Sequence, residues 1–358
     1  MEIKIPYYED LTRISNSNIG WFLQKGPAYL HKMLTDPPPE EKNPVLERGS
    51  LIHMYLLQPE EFLKTYVVWD KSRPFSAQQE KFCQALANTV EIEPNRAIIS
   101  AYKEAYSTAG KSEDKMLSEG LKIASTLKEY IDYLKDPERK QMISPSEYQM
   151  LKKIRNNAEA HKLAANIIWP TNSRVRMDME EFIPETGDPG ISPIRYYHEF
   201  HINWEWEMLL EHSGDEAPPE FLHVSCKSLL DGLTLDFKNK KAIIYDLKTT
   251  AKLWHFEESI EMYDYCRQIA YYKKAVQWYL QNECNEDFAK WTFEYYIIGI
   301  DTTGSNEIRV FKIEEPSVQS RMLTINKSLC DICWHQKNNK WEHSRAYYEG
   351  DGSETLNL

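Results

Sequence analysis

The chain has 358 residues, with 43 Lys and Arg against 55 Asp and Glu, a formal net charge of −12. That length is enough for one large core or two smaller ones. The acidic balance argues against a surface coated in positive charge for non-specific nucleic-acid binding, while leaving room for a local basic channel.

Cys83, Cys226, Cys266, Cys284, Cys330 and Cys333 are too sparse for a disulfide scaffold, so a reducing, intracellular protein is expected. The opening "MEIKIPYYEDLTRI" has no apolar leader core. No apolar run approaches the ~18 residues of a membrane span. A soluble, cytoplasmic protein follows as the expectation.

Residues 1 to about 65 read as short helices. Ser15 or Ser17 offers an N-cap to a segment with Ile19, Phe22 and Leu23 at helical spacing. "DPPPEEKNP" is a loop, because consecutive prolines cannot continue a helix. "VLERGSLIHMYLLQPEEF" is a helix that Pro59 stops. Residues 66 to 110 are mixed. Leu117, Leu121, Leu127, Ile131 and Leu134 then form a helical stripe over 112–134. In "ISPSEYQMLKKI", Ser144 caps, Pro145 takes the first helical position and Glu147 closes a capping box, opening a helix predicted to run to Ile168. Residues 66–170 are thus expected to be a mostly helical insertion.

After Pro170 the pattern changes. "RYYHEFHINWEW" alternates, "EFLHVSCKSLLDGLTLDF" is strand-like and "KAIIYDLKTTA" is a β-branched and aromatic strand. "SIEMYDYCRQIAYYKKAVQWYLQNE" reads as a long amphipathic helix. "KWTFEYYIIGID" and "EIRVFKIEE" are further strands, and "PSVQSRMLTINKSLCDICWHQK" is a closing helix. The region 171–349 is therefore expected to be an α/β core, followed by a polar tail at 350–358.

Two acids and a lysine stand out in this half. Asp246 and Lys248 are two apart on a strand and so project to one face, with Leu247 on the other. A turn through "FKNKK" brings Asp231, on the preceding antiparallel strand, towards Asp246. Paired carboxylates repel unless neutralised, and a divalent cation does that. A lysine beside them can orient a water and stabilise charge growing on a phosphate, which makes a kit for phosphodiester hydrolysis. As a bare triplet, Asp-x-Lys equally describes a surface ion pair. Asp236 to Lys238 is the same triplet in a lysine-rich turn, whereas Asp246 follows the apolar "AIIY" at the end of a buried element.

These residues resemble the PD-(D/E)xK nucleases. Asp231 followed by "IIYDLKT" is similar to their acid, acid-x-lysine signature. "RGSLIHMYLLQPEEF", with Gly49 and His53, resembles the upstream G-x-x-x-H helix of the RecB-type and RecE-type branches, and "RQIAYYKKAV", with Gln268 and Tyr272, the downstream Q-x-x-x-Y helix. "RISNSNIGWFLQKGPAYL" is similar to the opening of the exonuclease VIII (RecE-like) branch, of phage and prophage type. Four blocks in order cover about a third of the chain. Leu230 stands where the family name has its proline.

The resemblance implies a restriction-endonuclease-like fold, a mixed central sheet flanked by helices, with residues 1–65 supplying the G-x-x-x-H helix. It implies one or two Mg²⁺ or Mn²⁺ ions held by His53, Asp231 and Asp246, with the backbone carbonyl of Leu247 as an added ligand. Lys248 would act on the water or phosphate, and Gln268 and Tyr272 would brace Lys248 and touch DNA.

The implied activity is an exonuclease acting on double-stranded DNA ends, 5′ to 3′, in a bacterial host cell. It would supply single strands to an annealing protein in recombination, with a ring-shaped homo-oligomer as its working form. A structure-specific endonuclease and a non-catalytic DNA-binding or assembly module remain as alternatives on the same fold.

Glu199, in "YYHEFHI", is either a further acid at the site or an ordinary edge-strand residue. Arg13, Ser15 and Ser17 resemble a 5′-phosphate pocket, but helix capping is the preferred reading. An iron–sulfur cluster is not expected, since only Cys330 and Cys333 occur late. Zinc through Cys330, Cys333, His335 and His343 fits no standard spacing, so these read as buried helical cysteines. The aromatic rings could stack single-stranded DNA, but most are assigned to the core.

Overall fold

The structure, a computed structural model, describes residues 5–39, 43–91, 93–170, 194–210 and 220–354. Residues 171–193, where the expected nuclease core begins, lie outside the described residues, as do 355–358 of the polar tail. The chain opens with helices α1 (Asn16–Thr35), α2 (Pro44–Leu57) and α3 (Pro59–Thr65). Strand β1 (Tyr66–Val68) and helices α4 (Ala77–Asn88), α5 (Pro94–Ala105), α6 (Glu113–Thr126) and α7 (Lys128–Lys135) follow. Strand β2 (Gln141–Ile143) leads to α8 (Pro145–Ala160) and α9 (Lys162–Ile168). The remainder is β3 (Ile194–Leu210), β4 (Glu220–Asp236), β5 (Lys241–Thr250), α10 (Phe256–Met262), α11 (Tyr265–Asn282), β6 (Thr292–Asp301), β7 (Ile308–Ile313), α12 (Glu315–Asn338) and α13 (Arg345–Glu349).

The chain forms two compact units, Glu60–Met150 and the union of Met1–Pro59 with Leu151–Leu358. The segment expected as one insertion over 66–170 is thus divided, with Leu151 onward packing in the same unit as the large sheet. In the smaller unit β1 and β2 pair in parallel, and α4 to α7 enclose Phe82, Cys83, Ile98, Tyr102, Met116, Leu127 and Ile131. The stripe over 112–134 is not one helix. It breaks at Leu127, which ends α6 and precedes α7, and Leu121 is 45% exposed. Gly120 instead faces α5, where a Cβ would come within 2.5 Å of Ile98 Cγ2.

The larger unit is a five-stranded mixed sheet of order β3-β4-β5-β6-β7 flanked by helices, the α/β arrangement expected from the sequence. Strands β5 and β6 pair in parallel, with α10 and α11 between them in sequence, and the other pairs are antiparallel. A parallel pair needs such a crossover. One layer of α1, α11 and α12 buries Ile19, Leu30, Tyr271, Val276, Ile325 and Leu329 against Trp204, Leu233, Ile244 and Ile297 of the sheet.

Local signals hold where they are self-contained. Ser15 caps α1 in a box with Asn18, and Ser144 and Glu147 form the reciprocal box at α8. The helix predicted to reach Ile168 stops at Ala160, because the ring of His161 caps a new helix through its Nδ1 and the Ala164 N–H. Helix α1 is kinked at Gly26, with φ 82°, before Pro27.

Candidate active site

The site is built where two strand ladders fail at the same row. The β4–β5 ladder runs from Asp236–Lys241 to Gly232–Tyr245 and stops before Asp231 and Asp246. On the other side, β3 pairs with β4 at His198–Gly232 and resumes at Phe200–Leu230, skipping Glu199 and Asp231. Glu199 has φ 48°, a left-handed conformation that disfavours any residue with a Cβ. The pleat is therefore broken around Asp231 on both sides. The Asp231 carboxylate fills the gap, its Oδ2 accepting the Leu247 N–H at 2.6 Å. This satisfies a backbone donor that the missing ladder would otherwise leave buried and alone.

Three elements bring metal-type ligands to this gap. One ligand atom each from His53 of α2, Glu199 of β3 and Asp231 of β4 lies within 4.8 Å of the others. His53 Nδ1 is 3.7 Å from Asp231 Oδ2 and 3.9 Å from Glu199 Oε1. Helix α2 reaches the sheet through Gly49, where a Cβ would sit only 3.3 Å from Thr249 Oγ1. Burial lowers the affinity of His53 for a proton, but the Asp231 and Glu199 carboxylates outweigh it and raise its pKa above the ordinary value.

Asp246 and Lys248 project together, as their spacing requires, beside α11 and near enough to His53 and Asp231 to interact with them electrostatically. Lys248 Nζ lies 2.5 Å from Asp246 Oδ2 and 5.1 Å from the Tyr265 ring centroid. Gln268 Nε2 donates to Asp246 Oδ1 at 2.9 Å and to Tyr272 Oη at 2.8 Å. Asp246 is 1% exposed and Tyr272 6%. Burial raises the pKa of the Asp246 carboxyl, while Lys248 opposes the rise. For Lys248, burial works against the charge, yet the carboxylates of Asp246 and Asp231 prevail and hold the ammonium protonated. Leu247 is fully buried and engages the site through its N–H.

The sequence left Glu199 undecided, and the structure places it in the cluster. Nothing local marks it, since a left-handed glutamate has no composition signal of the kind that Gly or Asn gives. Ser15 is engaged in its capping box, and Arg13 Nη1 donates to Glu205 Oε1 at 3.1 Å. His335 is buried with its Nδ1 on Lys340 O, and His343 lies beside Glu354, so no Cys–His cluster joins Cys330 and Cys333 among the described residues. Asp236 is held in its turn, accepting from the Lys238 and Asn239 N–H groups.

The donor set suits a hard divalent cation. It offers one imidazole and carboxylate oxygens, the mixture that Mg²⁺ and Mn²⁺ accept. Three carboxylates (Glu199, Asp231, Asp246) against one ammonium leave two negative charges when His53 is neutral, the charge one such ion supplies.

No protein-family model matches the chain, and no curated protein matches it. Among solved structures, the chain is similar to a crystal structure from Eubacterium rectale described as a "Putative exonuclease". The two share 12% identity with a TM-score of 0.45, over 100% of this chain and 97% of that one. A likeness of that degree carries no argument about activity. The functional reading rests on the residues themselves.

Proposed function

We propose that this protein is a divalent-metal-dependent deoxyribonuclease that hydrolyses phosphodiester bonds from duplex ends. The observation that carries the reading is the convergence, at one break in the sheet, of the His53–Glu199–Asp231 group with the buried Asp246–Lys248 pair. His53, Asp231 and Asp246 are the proposed ligands, with Glu199 added by its position and the Leu247 carbonyl as a further donor. A bound Mg²⁺ or Mn²⁺ would polarise the phosphate and lower the pKa of a water.

The chain's own groups supply the rest. Lys248, kept charged by Asp246, donates from Nζ to a non-bridging oxygen of the scissile phosphate, where negative charge grows in the transition state. An ammonium held protonated is poorly suited to remove a proton, so its role is electrostatic and positional rather than basic. Gln268 fixes the Asp246 carboxylate through Oδ1, leaving the buried Oδ2 to face Lys248. Tyr272 in turn accepts the second amide hydrogen of Gln268.

The finer assignments are supported by the sequence resemblance alone. They are 5′-to-3′ polarity, single strands delivered to an annealing partner in phage-type recombination, and a ring of identical subunits. Among the described residues no helix is long and apolar enough to cross a membrane.

The test is incubation with linear and covalently closed circular duplex DNA, with and without Mg²⁺, beside Lys248→Ala. Loss of the linear substrate alone, dependent on both metal and Lys248, is the expected result. Cutting of the circle would replace the exonuclease with an endonuclease. DNA binding without any cleavage would leave a binding module.

A further inference from the structure

Beyond Lys248 the same sheet face carries an aromatic–cationic pair that the chemistry above does not use. Lys248 on β5 pairs with Gly299 on β6, and Gly299 pairs with Arg309 on β7. Paired residues project to one face, so Lys248 and Arg309 share it, two strand spacings or about 10 Å apart. Gly299 leaves the row open between them. A Cβ there would meet Leu253 Cδ1 at 2.8 Å and Phe256 Cδ1 at 3.4 Å. Leu253 is therefore seated in the space that Gly299 vacates, and it is 3% exposed. That anchor fixes the short 3₁₀ turn Leu253–His255, which carries Trp254.

Trp254 is 72% exposed, although its neighbour in the turn is buried. The guanidinium of Arg309 lies over its ring at 4.4 Å from the centroid. Among the described residues no carboxylate forms an ion pair with Arg309, so its N–H donors are not committed to an acid. A lone exposed apolar side chain needs no explanation. This one is held on a buried anchor and backed on one face by Arg309, the cation that shares a sheet row with the candidate cleavage lysine.

We infer that Trp254 and Arg309 form a stacking platform for an unpaired base of single-stranded DNA beside the scissile bond. This rests on the nuclease reading and extends it to the strand that the site receives. The free face of the indole takes the base, and Arg309 donates to the phosphate of the same nucleotide while polarising the ring from behind. Stacking on an aromatic face is tolerant of sequence, as an enzyme that digests any end requires.

The experiment measures binding of a fluorescent single-stranded oligonucleotide and of a blunt duplex in EDTA. The proteins are the full chain unsubstituted, Trp254→Ala, Trp254→Phe, Arg309→Gln, and Leu323→Ala as an exposed apolar control on α12 (Leu323 is 78% exposed). Trp254→Ala should weaken single-strand binding about tenfold, within the range one stacked base supplies. Trp254→Phe should retain most of the affinity, Arg309→Gln should weaken it, and Leu323→Ala should leave it unchanged. The duplex should lose less than the single strand.

Tight single-strand binding by both Trp254→Ala and Arg309→Gln would overturn the platform while leaving the nuclease reading intact. A larger loss on the duplex than on the single strand would overturn it as well. Failure of the unsubstituted protein to bind either DNA, both in EDTA and with Ca²⁺ in place of EDTA, would remove the nuclease reading, and the platform with it.

Discussion

Replacing Glu199 by glycine should make the metal-free protein more stable than replacing it by alanine, and both changes should weaken the response to metal. Glu199 has φ 48° in the middle of a strand. A Cβ in that conformation costs about 1–2 kcal/mol. Glycine relieves the strain but returns about 0.5–1 kcal/mol through the greater freedom of its unfolded chain. Glu199→Gly should therefore exceed Glu199→Ala by roughly 0.5–1 kcal/mol, although both lose the same carboxylate. The comparison cancels the electrostatic part, since each variant removes the repulsion between Glu199 and Asp231 equally.

The assay is urea unfolding followed by tryptophan fluorescence, first in EDTA and then across a Mg²⁺ or Mn²⁺ titration. A cation that binds only the folded chain raises the midpoint of the unsubstituted protein with concentration. Neither variant should follow it to the same extent. Equal stability of the two variants in EDTA would refute the strained backbone. An undiminished metal shift in both would refute Glu199 as a ligand.

Three further outcomes follow from the same structure. In Gly232→Ala the new Cβ would lie 1.9 Å from Cζ of Tyr245, which is 1% exposed and cannot swing into solvent, so a loss of roughly 3 kcal/mol is expected. Thermal melting checks it, and Tyr245→Leu in the same chain should recover part of the loss; an unchanged melting temperature in Gly232→Ala would contradict the packing. Gln268→Ala removes the hydrogen bonds to the buried Asp246 and Tyr272 and should slow cleavage about 10- to 100-fold while costing about 1–3 kcal/mol of stability, whereas rates equal to the unsubstituted protein would take Gln268 out of the site. Asp301 is held at a pKa of about 2, below its ordinary 3.8; burial opposes this but is outweighed by the Ser305 and Thr303 hydroxyls and the Thr303 and Asn306 N–H groups. A depressed folded pKa contributes stability above the unfolded value and loses it as pH falls from about 4 to about 2, so Asp301→Asn should cost about 2 kcal/mol at pH 7 and little at pH 2. A pH-independent difference would refute that assignment.

What could be read from the sequence was what neighbouring residues decide. The capping boxes at Ser15 and Ser144 need only three or four residues, and both form. The alternation around Leu247 fixes the common face of Asp246 and Lys248, and the turn before Lys241 fixes the approach of Asp231 to Asp246. Helices α4 and α5 were not legible in a stretch that reads as mixed, because their burial is decided by packing with α6 and α7. Nor could the sequence foresee the break at Leu127, where an unbroken apolar stripe gives way to two helices. Glu199 is the clearest case. Its place in the site depends on a backbone conformation that its side chain does nothing to favour, imposed by strands more than thirty residues away.

The position of Asp231 explains why this fold can gather acids here at all. Strand β4 has β5 as its neighbour only from Gly232 to Asp236; earlier in β4, Ile14 takes that edge, receiving the Lys227 N–H and giving its own N–H to Ser225 O. Asp231 stands between these two neighbours, and on the opposite edge Glu199 interrupts β3 at the facing residue. A continuous ladder would have paired the backbone around Asp231 on both sides. The double interruption removes those partners, and the Asp231 carboxylate supplies the hydrogen bond that the Leu247 N–H would otherwise lack. The carboxylates thus serve the backbone and repel one another at once. A cation drawn into the gap would relieve the repulsion without disturbing the hydrogen bond, because one oxygen can accept from Leu247 while Asp231 turns its other oxygen to the ion.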